Sequence, residues 1–272
     1  MLVWAISFFA LQSLPLAALH PAVKESQILQ TLNERMPSEL LTRAVAEFNP
    51  LPQIQGPRPE VPRPNERIAG DPEVLAASSR TVRVSSIACG YDVEGSGWVA
   101  APDLVVTNAH VVAGVAVTRV QPGGTGPRRR AEVVLFDDKN DVAILRVDGL
   151  GLDPMPLAAP RVGAAAAVLG FPKNGPLDVK PARTGATQRV ISADAYNRGP
   201  VERTVTSFRV YVRPGNSGGP VVNTDGEVVA TVFASRANSR DSGYGIPSQI
   251  VQRRVTAAAQ RTEPVSTGGC AN

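Results

Sequence analysis

The sequence contains few of the side chains that commonly build metal centres or act as catalytic bases. Its 272 residues include two histidines, two cysteines and three methionines. Two cysteines cannot complete a four-ligand structural zinc site by themselves, and the chain shows no metal-ligand spacing. We therefore expect no metal ion and no cofactor, and imidazole chemistry has only His20 and His110 available.

A large excess of charge is also lacking, because 28 basic and 24 acidic side chains give a net charge of +4. The one basic cluster is Arg128, Arg129 and Arg130 in GPRRRAEV, and no aromatic residue is interleaved with it. We interpret this cluster as a solvated loop tip between two strands and expect no nucleic-acid partner.

Charged residues are absent from the N-terminal segment, which is apolar from Met1 to about Leu19 and has no charge before Lys24. A secretory signal normally begins with a basic residue, and roughly 20 apolar residues are enough to span a bilayer. We expect residues 1–23 to form a membrane anchor rather than a buried core helix, with His20 at the membrane boundary.

Residues 24–70 are predicted to form a linker. Apolar residues recur at helical spacing in KESQILQTLNERMPSELLTRAVAEF, where Ser26 and Pro37 are candidate helix starts, so two short surface helices are expected. The proline-rich NPLPQIQGPRPEVPRPNERIAG that follows favours an extended, semi-rigid spacer with little core of its own.

After the linker, the pattern changes to short β-strands. Asp71 is expected to cap a short helix that has Pro72 in its first turn. Apolar segments then follow one another between Gly, Pro, Asp and Asn, with no long amphipathic helix to connect parallel strands. This pattern is typical of antiparallel sandwiches or barrels, so the predicted class is all-β. The predicted strands are TVRVSSIA, GSGWVA, LVVTNA, VAVTRV, AEVVLF, VAILRV, AAAVLG, TVTSFRVYV, PVVN and EVVATVFA.

The stretch RPGNSGGPVV places three glycines around one serine, directly before an apolar segment. Glycine permits backbone angles that a β-carbon forbids. In a tight turn, the N–H groups of Gly215 and Ser217 can point into one small pocket, which suits a developing oxyanion. A simple hairpin turn is the alternative, because Gly, Asn and Ser are common in turns.

A nucleophilic Ser217 needs a nearby base, because a serine hydroxyl is weakly nucleophilic at neutral pH. His110 is the only candidate outside the N-terminal segment, and it stands at a predicted strand end in GSGWVAAPDLVVTNAHVVAG. A strand end gives an imidazole a fixed backbone and an open face, as a general base requires. Taken alone, a histidine among valines is more often a structural residue.

The base in turn needs a carboxylate that fixes its tautomer and stabilises the imidazolium. The segment LFDDKNDVAILRV offers three aspartates. Asp137 and Asp138 fall in a polar turn and are expected to be solvated, whereas Asp141 leads directly into an apolar strand. Asp141 is therefore the predicted partner of His110.

The segments TNAHVV, DVAIL and GNSGGP, in this order, resemble the trypsin-like serine proteases and especially their bacterial HtrA-type branch. The similarity covers about Ala76 to Ile250, and the joint occurrence of the three segments is highly specific. It implies that His110 is the base, Asp141 its orienting carboxylate and Ser217 the nucleophile of a serine endopeptidase that works through an acyl-enzyme.

The resemblance also implies a fold. The family has two perpendicular antiparallel six-stranded β-barrels, here expected at about 80–155 and 160–250 of a protease domain over residues 71–272, after a short helical and apolar N-terminal extension. The catalytic residues lie in the cleft between the barrels. An HtrA-type chain would continue into a PDZ domain, for which residues 252–272 are too few.

A narrower resemblance comes from the apolar N-terminal segment, the proline-rich spacer, a cysteine before the first barrel and the ending STGGCAN. These features look like the MarP-type membrane-anchored proteases of actinobacteria. The similarity implies a protease on the periplasmic side of the cell membrane that acts on envelope proteins or peptides under acid or envelope stress. That family has several membrane helices, so one apolar segment indicates a fragment or a shortened version.

Two cysteines bracket the predicted barrels. An exported domain lies in an oxidising compartment, so Cys89 and Cys270 are expected to form a disulfide. Buried free thiols are the alternative.

Position in the family also assigns substrate contacts. The oxyanion turn is Gly215, Asn216 and Ser217. The pocket walls are Tyr211, Val212, Phe233, Ala234 and Ser235, with Tyr244 near the back. No acidic residue stands among them, so cleavage after Lys or Arg is not expected, and a small or medium apolar side chain is favoured.

The segment ERIAGDPE resembles the activation site of a trypsin-type zymogen, because Arg67 precedes Ile68. In such zymogens the new N-terminal ammonium pairs with an aspartate immediately before the nucleophile. That position here is Asn216, whose amide has no charge to offset the desolvation of a buried ammonium. We therefore expect that cleavage after Arg67 is not required for activity.

Two other classes of function compete with the enzyme. One is a catalytically silent protease fold that serves as a tethered binding module, and the other is a purely structural envelope protein. All three catalytic residue types are present, which favours the enzyme, and labelling of Ser217 by an active-site phosphonate distinguishes them.

Overall fold

The computed structural model describes residues 51–88 and 91–269. The predicted membrane anchor at 1–23, the two predicted surface helices, and both Cys89 and Cys270 lie outside these ranges. The helices within these ranges lack the length and the apolar character that a membrane span requires.

Six strands near the start of the described chain close into a barrel. They are β2 (Thr81–Ala88), β3 (Tyr91–Ala101), β4 (Leu104–Thr107), β5 (Val115–Pro122), β6 (Arg129–Asp137) and β7 (Val142–Arg146). Neighbouring strands are antiparallel in the order β2-β3-β4-β7-β6-β5. Val82, Val105 and Leu145 are buried in its core, as the alternating apolar pattern requires.

A second sheet follows. Its strands are β8 (Ala165–Gly170), β9 (Asp178–Ser192), β10 (Val201–Arg209), β11 (Pro220–Val222), β12 (Val228–Arg236) and β13 (Ser242–Pro247). They pair in the order β12-β11-β8-β9-β10-β13, and a β12–β13 pairing completes the ring. The two-residue strand β1 (Gln53–Ile54) adds to β12 in parallel. The predicted all-β fold is confirmed.

The proline-rich segment at the start of the described chain packs on the second sheet. Leu51 and Ile54 are buried, and the N–H of Ser235 donates to the carbonyl of Pro52 at 2.9 Å. This differs from the predicted spacer with little core of its own. Extended backbone presents carbonyl groups that can pair with a strand edge even where proline has removed a donor.

Two α-helices flank the barrels: α1 (Pro72–Ser78) and α2 (Ser248–Ala259). The predicted cap of α1 is confirmed, because Asp71 Oδ1 accepts the N–H of Glu73 at 3.0 Å and Pro72 is the first helical residue. Helix α2, which strand periodicity does not predict, buries Val251 and Ala258 against the core that both barrels share.

Strand β3 connects the first barrel to the second. Trp98 is fully buried, and its Nε1–H donates to Thr231 Oγ1 of β12 at 3.1 Å. Two residues earlier, the N–H of Ser96 donates to the carbonyl of Ser217 at 2.8 Å. The end of β4 and the turn before β11 are therefore held against each other by their common neighbour β3.

Candidate active site

His110 and Asp141 contact each other through two hydrogen bonds. Asp141 Oδ2 lies 2.6 Å from His110 Nδ1, and Asp141 Oδ1 accepts the backbone N–H of His110 at 2.8 Å. The side chains are 9% and 2% exposed, respectively. Because Nδ1 is engaged by the carboxylate, Nε2 is the ring nitrogen left to accept a proton.

The local backbone explains this pairing. His110 lies in the turn that follows β4, and Asp141 directly precedes β7 with a left-handed φ of 57°. Aspartate tolerates this conformation better than most residues. The fully buried Asn108 donates from Nδ2 to the carbonyl of Asp141 at 2.9 Å. The turn after β4 is therefore bound to Asp141 both at Asn108 and at His110.

The prediction that Asp137 is solvated is wrong. Its carboxylate accepts the Asn140 backbone N–H at 3.0 Å, Asn140 Nδ2 at 2.8 Å and Arg254 Nε at 2.5 Å. Burial opposes ionisation, but the hydrogen bonds from Asn140 and the Arg254 cation hold the pKa of Asp137 below its usual range. Arg254 belongs to α2, which the sequence does not place near this turn. Asp138 is half-buried.

Ser217 lies in the turn before β11, and this turn packs on the segment that carries the imidazole. A methyl group at Gly218 would lie 3.0 Å from the backbone nitrogen of Asn108. A methyl group at Gly95 would lie 2.9 Å from the Val111 side chain and 3.0 Å from the Ser217 carbonyl. These close approaches leave no room for a β-carbon. The turn of the predicted nucleophile packs on Asn108 of the histidine segment, and both Ser217 and Val111 pack on Gly95 of β3.

The peptide between Pro214 and Gly215 has a fixed orientation. The Pro214 carbonyl accepts the N–H of Lys173 at 2.8 Å. In a planar trans peptide, the N–H points opposite to the carbonyl, so the Gly215 N–H points away from Lys173. Gly215 has a φ of 92°, and a methyl group there would lie 2.9 Å from the Lys173 nitrogen.

The peptide between Asn216 and Ser217 also has a fixed orientation. The Asn216 carbonyl accepts the N–H of Gly219 at 2.9 Å, and Asn216 Oδ1 accepts the N–H of Arg213 at 2.9 Å. The Ser217 N–H therefore points away from Gly219. No hydrogen bond within the described ranges uses the N–H of Gly215 or Ser217, so both groups are free to donate to an oxyanion.

Sequence reasoning missed Ser96, which was part of a predicted strand only. Ser96 is fully buried, its Oγ donates to the Gly215 carbonyl at 2.6 Å, and the same Oγ accepts the N–H of Phe171 at 2.9 Å. A serine between two glycines in the predicted strand GSGWVA was the available signal. Its partners could not be found from the sequence, because they lie more than 70 positions away.

The predicted pocket walls differ in exposure. Val212, Phe233 and Ala234 are buried, Ser235 is half-buried and Tyr211 is 45% exposed. Three of the predicted wall residues therefore lie in the protein interior, and Tyr211 lies at the surface. Tyr244 is buried, and its hydroxyl donates to the Pro57 carbonyl at 2.9 Å.

Sequence reasoning also missed the buried cation Arg203. It is 3% exposed, its guanidinium carbon lies 4.6 Å from the centre of the Phe233 ring, and Nη2 donates to the Ala193 carbonyl at 2.5 Å. Nε and Nη1 have no hydrogen-bond partner within the described ranges. Burial lowers the pKa of this guanidinium, and the Asp141 carboxylate opposes that shift. A positive charge thus lies near the buried carboxylate of the site.

Comparison with known proteins agrees with this geometry. Residues 95–230 match the family model described as a trypsin-like peptidase domain. The chain is 34% identical over 282 residues to the serine protease Rv3671c of Mycobacterium tuberculosis, covering 98% of this chain and 70% of the relative. It is 36% identical over 154 residues to a probable periplasmic serine endoprotease, DegP-like, of Halomonas elongata, covering 55% of this chain and 31% of the relative.

Solved structures are similar over most of the described chain. The crystal structure of the Rv3671c protease from M. tuberculosis in its active form superposes with a TM-score of 0.76 at 34% identity, over 81% of this chain and 98% of that one. The inactive form gives 0.65 at 33% identity, over 73% and 98%. The HtrA-type protease AlgW with a tripeptide gives 0.63 at 22% identity, over 71% and 64%, which shows the fold alone.

Proposed function

The chain belongs to the trypsin-like peptidase family and is a serine endopeptidase related to Rv3671c, and we propose that it cleaves peptide bonds through an acyl-enzyme on Ser217. His110 acts as base and then acid, and Asp141 orients it. The contact of 2.6 Å between His110 and Asp141, beside the turn that carries Ser217, is the observation that supports these roles most directly.

Acylation begins when His110 Nε2 takes the proton of Ser217 Oγ as that oxygen bonds to the scissile carbonyl carbon. The carbonyl electrons move onto its oxygen, and the N–H groups of Gly215 and Ser217 stabilise the resulting negative charge. Asp141 stabilises the imidazolium through Nδ1. The imidazolium then protonates the leaving nitrogen, the C–N bond breaks, and an ester on Ser217 remains.

Deacylation repeats these steps with water. His110 takes a proton from a water molecule as the water oxygen attacks the ester carbon. The N–H groups of Gly215 and Ser217 stabilise the second tetrahedral intermediate. Return of the proton to Ser217 Oγ releases the acid product. Both half-reactions use only protein groups and water, so the proposed chemistry needs no cofactor.

The substrate side chain before the cleaved bond is proposed to be small or medium and apolar. The buried walls Val212, Phe233 and Ala234 support this preference, because none of them offers a charge. Arg203 beneath Phe233 supports it further, since its positive charge disfavours a lysine or arginine side chain nearby. Peptides that vary only at this residue would measure the preference as kcat/KM.

The proposed setting is the cell envelope. The enzyme would be tethered to the cell membrane by residues 1–23, with its protease domain on the periplasmic side, and would act on envelope proteins or peptides during acid or envelope stress. The apolar N-terminal composition supports the tether, and one relative carries the description periplasmic. Membrane fractionation of the full chain tests the tether, and proteome-wide detection of cleaved envelope proteins tests the substrates.

A disulfide between Cys89 and Cys270 is part of this proposal. The described residues on either side support it: Ala88 pairs with Val115, and the neighbouring Gly114 N–H donates to the Thr267 carbonyl at 3.0 Å. Closing a loop of this length would stabilise the fold by about 5 kcal/mol on the chain-entropy model, less any strain. Alkylation of both thiols in unreduced, unfolded protein would contradict it.

Labelling with a peptidyl phosphonate tests the catalytic roles in the full chain. Wild type should be labelled and should hydrolyse peptides, whereas Ser217→Ala and His110→Ala should do neither while remaining folded. Ser207→Ala is the matched control, because Ser207 is equally buried but bonds to the Ala186 carbonyl of the second sheet. Labelling or near-wild-type hydrolysis in Ser217→Ala would refute the proposal.

A further inference from the structure

Ser96 is the point where the first barrel is joined to the oxyanion turn. Its N–H donates to the Ser217 carbonyl at 2.8 Å, and its Oγ donates to the Gly215 carbonyl at 2.6 Å. One residue therefore holds the carbonyl groups of both residues whose N–H groups face the proposed oxyanion. The Ser96 carbonyl is held in turn by Thr107 Oγ1 at 2.8 Å.

The second hydrogen bond of the Ser96 hydroxyl leads to the loop that orients Gly215. Oγ accepts the N–H of Phe171 at 2.9 Å. Phe171 begins the segment in which Lys173, at a left-handed φ of 55°, donates its N–H to the Pro214 carbonyl. The Ser96 hydroxyl therefore binds the Gly215 carbonyl directly and also binds the segment whose Lys173 N–H holds the Pro214 carbonyl. The N–H of the Pro214–Gly215 peptide stays free.

Two glycines pack closely on the Ser96 side chain. A methyl group at Gly170 would lie 2.8 Å from Ser96 Oγ, and one at Gly219 would lie 3.2 Å from Ser96 Cβ. Without the hydroxyl, the Phe171 N–H and the Gly215 carbonyl would both be buried and unpaired. Loss of such partners costs more than the hydrogen bond itself contributes, so the turn would rearrange to recover them.

We propose that Ser96 is a positioning residue for catalysis, whose hydroxyl holds the Gly215 N–H in the direction that stabilises the oxyanion. The inference rests on the proposed acyl-enzyme chemistry of Ser217. Ser96 touches neither substrate nor reacting atoms, and its effect should therefore appear in the transition state rather than in substrate binding.

The test measures Ser96→Ala in the full chain. We expect kcat to fall at least about tenfold, KM to stay within about twofold, and the inhibition constant of a peptidyl boronate to rise in parallel with the loss in kcat, because the boronate adduct carries the oxyanion. Ser86→Ala is the control, since it removes a buried hydroxyl of the neighbouring strand whose bond goes to Thr118. It should lose stability only.

Ser96→Cys is the second variant, to be measured should Ser96→Ala not fold. A thiol is a weak donor at the same place and should give an intermediate kcat. Unchanged kcat in either folded variant, or a loss confined to KM, would overturn the proposal. Failure of the underlying chemistry is distinguishable, since it would appear as activity in Ser217→Ala.

The edge of β12 contacts both the nucleophile turn and residues 51–54. The turn of Ser217 bonds to Val232 through Gly218 and Gly219, at 3.0 and 2.8 Å. On the same edge, Ser235 donates its N–H to the Pro52 carbonyl at 2.9 Å. The segment 51–54 therefore begins only three residues along β12 from the nucleophile turn.

An extended peptide whose cleaved bond lies at Ser217 would use this edge, because unpaired strand groups bind extended peptides by main-chain hydrogen bonds. We infer that the segment 51–54 competes with long substrates for β12 and must leave for them to bind. The segment packs closely on the second sheet. Leu51 and Ile54 are buried, and a methyl group at Gly56 would lie 2.5 Å from the phenolic oxygen of Tyr244.

Ile54→Asp and Gly56→Ala, each made in the full chain, should weaken the packing of the segment 51–54. Each should raise kcat/KM for a hexapeptide with four residues before the cleaved bond by about tenfold. Neither should change hydrolysis of a single-residue acyl ester, whose acyl group ends before Ser235. The exposed Arg58→Ala, which loses only a 3.6 Å ion pair with Asp241, is the matched control and should match wild type.

Unchanged or slower hexapeptide cleavage in a folded variant would overturn this inference, as would an equal rise for ester and hexapeptide. Ester hydrolysis reports the chemistry of Ser217 independently, so a failure of the proposed function appears there and not in the ratio of the two substrates.

Discussion

Asp141 holds His110 at two atoms at once, the ring Nδ1 at 2.6 Å and the backbone nitrogen at 2.8 Å. One carboxylate therefore fixes both the position of the histidine main chain and the rotation and tautomer of its ring. Any substitution that keeps the shape of this carboxylate but changes its hydrogen-bonding character separates these two effects.

Asp141→Asn is such a substitution. An amide nitrogen facing Nδ1 would favour the tautomer that carries its proton on Nε2, which cannot accept the proton of Ser217. We expect kcat to fall by about 10³- to 10⁴-fold, measured by peptide hydrolysis. Asp138→Asn should stay within about twofold, and comparable losses in both variants would contradict the assignment of Asp141.

The acid side of the pH profile should report the base. A protonated His110 cannot take the proton of Ser217, so kcat/KM should fall as the pH is lowered from neutral. Steady-state kinetics from pH 4 to pH 9 measures this fall. A rate that is constant from neutral pH down to about pH 4 would argue against His110 as the base.

Asp137→Asn should destabilise the fold without silencing the enzyme. The folded pKa of Asp137 is depressed, so its contribution is present above the unfolded value of about 3.9 and is lost as pH falls through the folded pKa. At pH 7 we expect a loss of about 2 kcal/mol.

Thermal unfolding at pH 7, 5 and 3 measures this effect. The difference in Tm between wild type and Asp137→Asn should shrink towards pH 3, and the exposed Asp225→Asn should show no difference at any pH. A constant difference from pH 7 to pH 3 would mean that Asp137 does not act through its ionised form.

Cleavage after Arg67 should not be needed for activity. Ile68 is 4% exposed inside a short 3-10 helix, and Asn216 already caps the turn of the nucleophile by accepting the Arg213 N–H. Arg67→Gln in the full chain should therefore hydrolyse peptides at the wild-type rate, with mass spectrometry confirming that the bond is intact. Activity that appears only when Ile68 becomes a free N-terminus would refute this prediction.

Local sequence patterns accounted for most strands and for the cap of α1. The segment TVRVSSIA, for example, corresponds to β2 in both of its ends, because alternating β-branched residues between turn formers leave few other structures. Strand β9 was missed, since DVKPARTGATQRVIS mixes charged, proline and small residues without alternation. Its partners β8 and β10 supply the pairing that its own composition does not favour.

The sequence pointed to His110, Asp141 and Ser217 as candidates because each stands in a short segment of distinct character: a strand end, an acidic residue before an apolar strand, and a glycine-rich turn. The sequence did not indicate the roles of Ser96 and Arg203 or the packing of residues 51–54. Their significance lies in contacts with residues far away in the chain, and no local periodicity encodes which buried carbonyl, ring or strand edge a side chain will meet.

The sequence by itself therefore determined the all-β class, the family and the residue types that can perform the chemistry, because strand periodicity and turn composition are local properties. Only the tertiary structure decided that Ser96 holds the oxyanion turn, that Asp137 pairs with Arg254, and what lies on the edge of β12. Hydrogen-bond direction and burial depend on packing between elements that are distant in sequence.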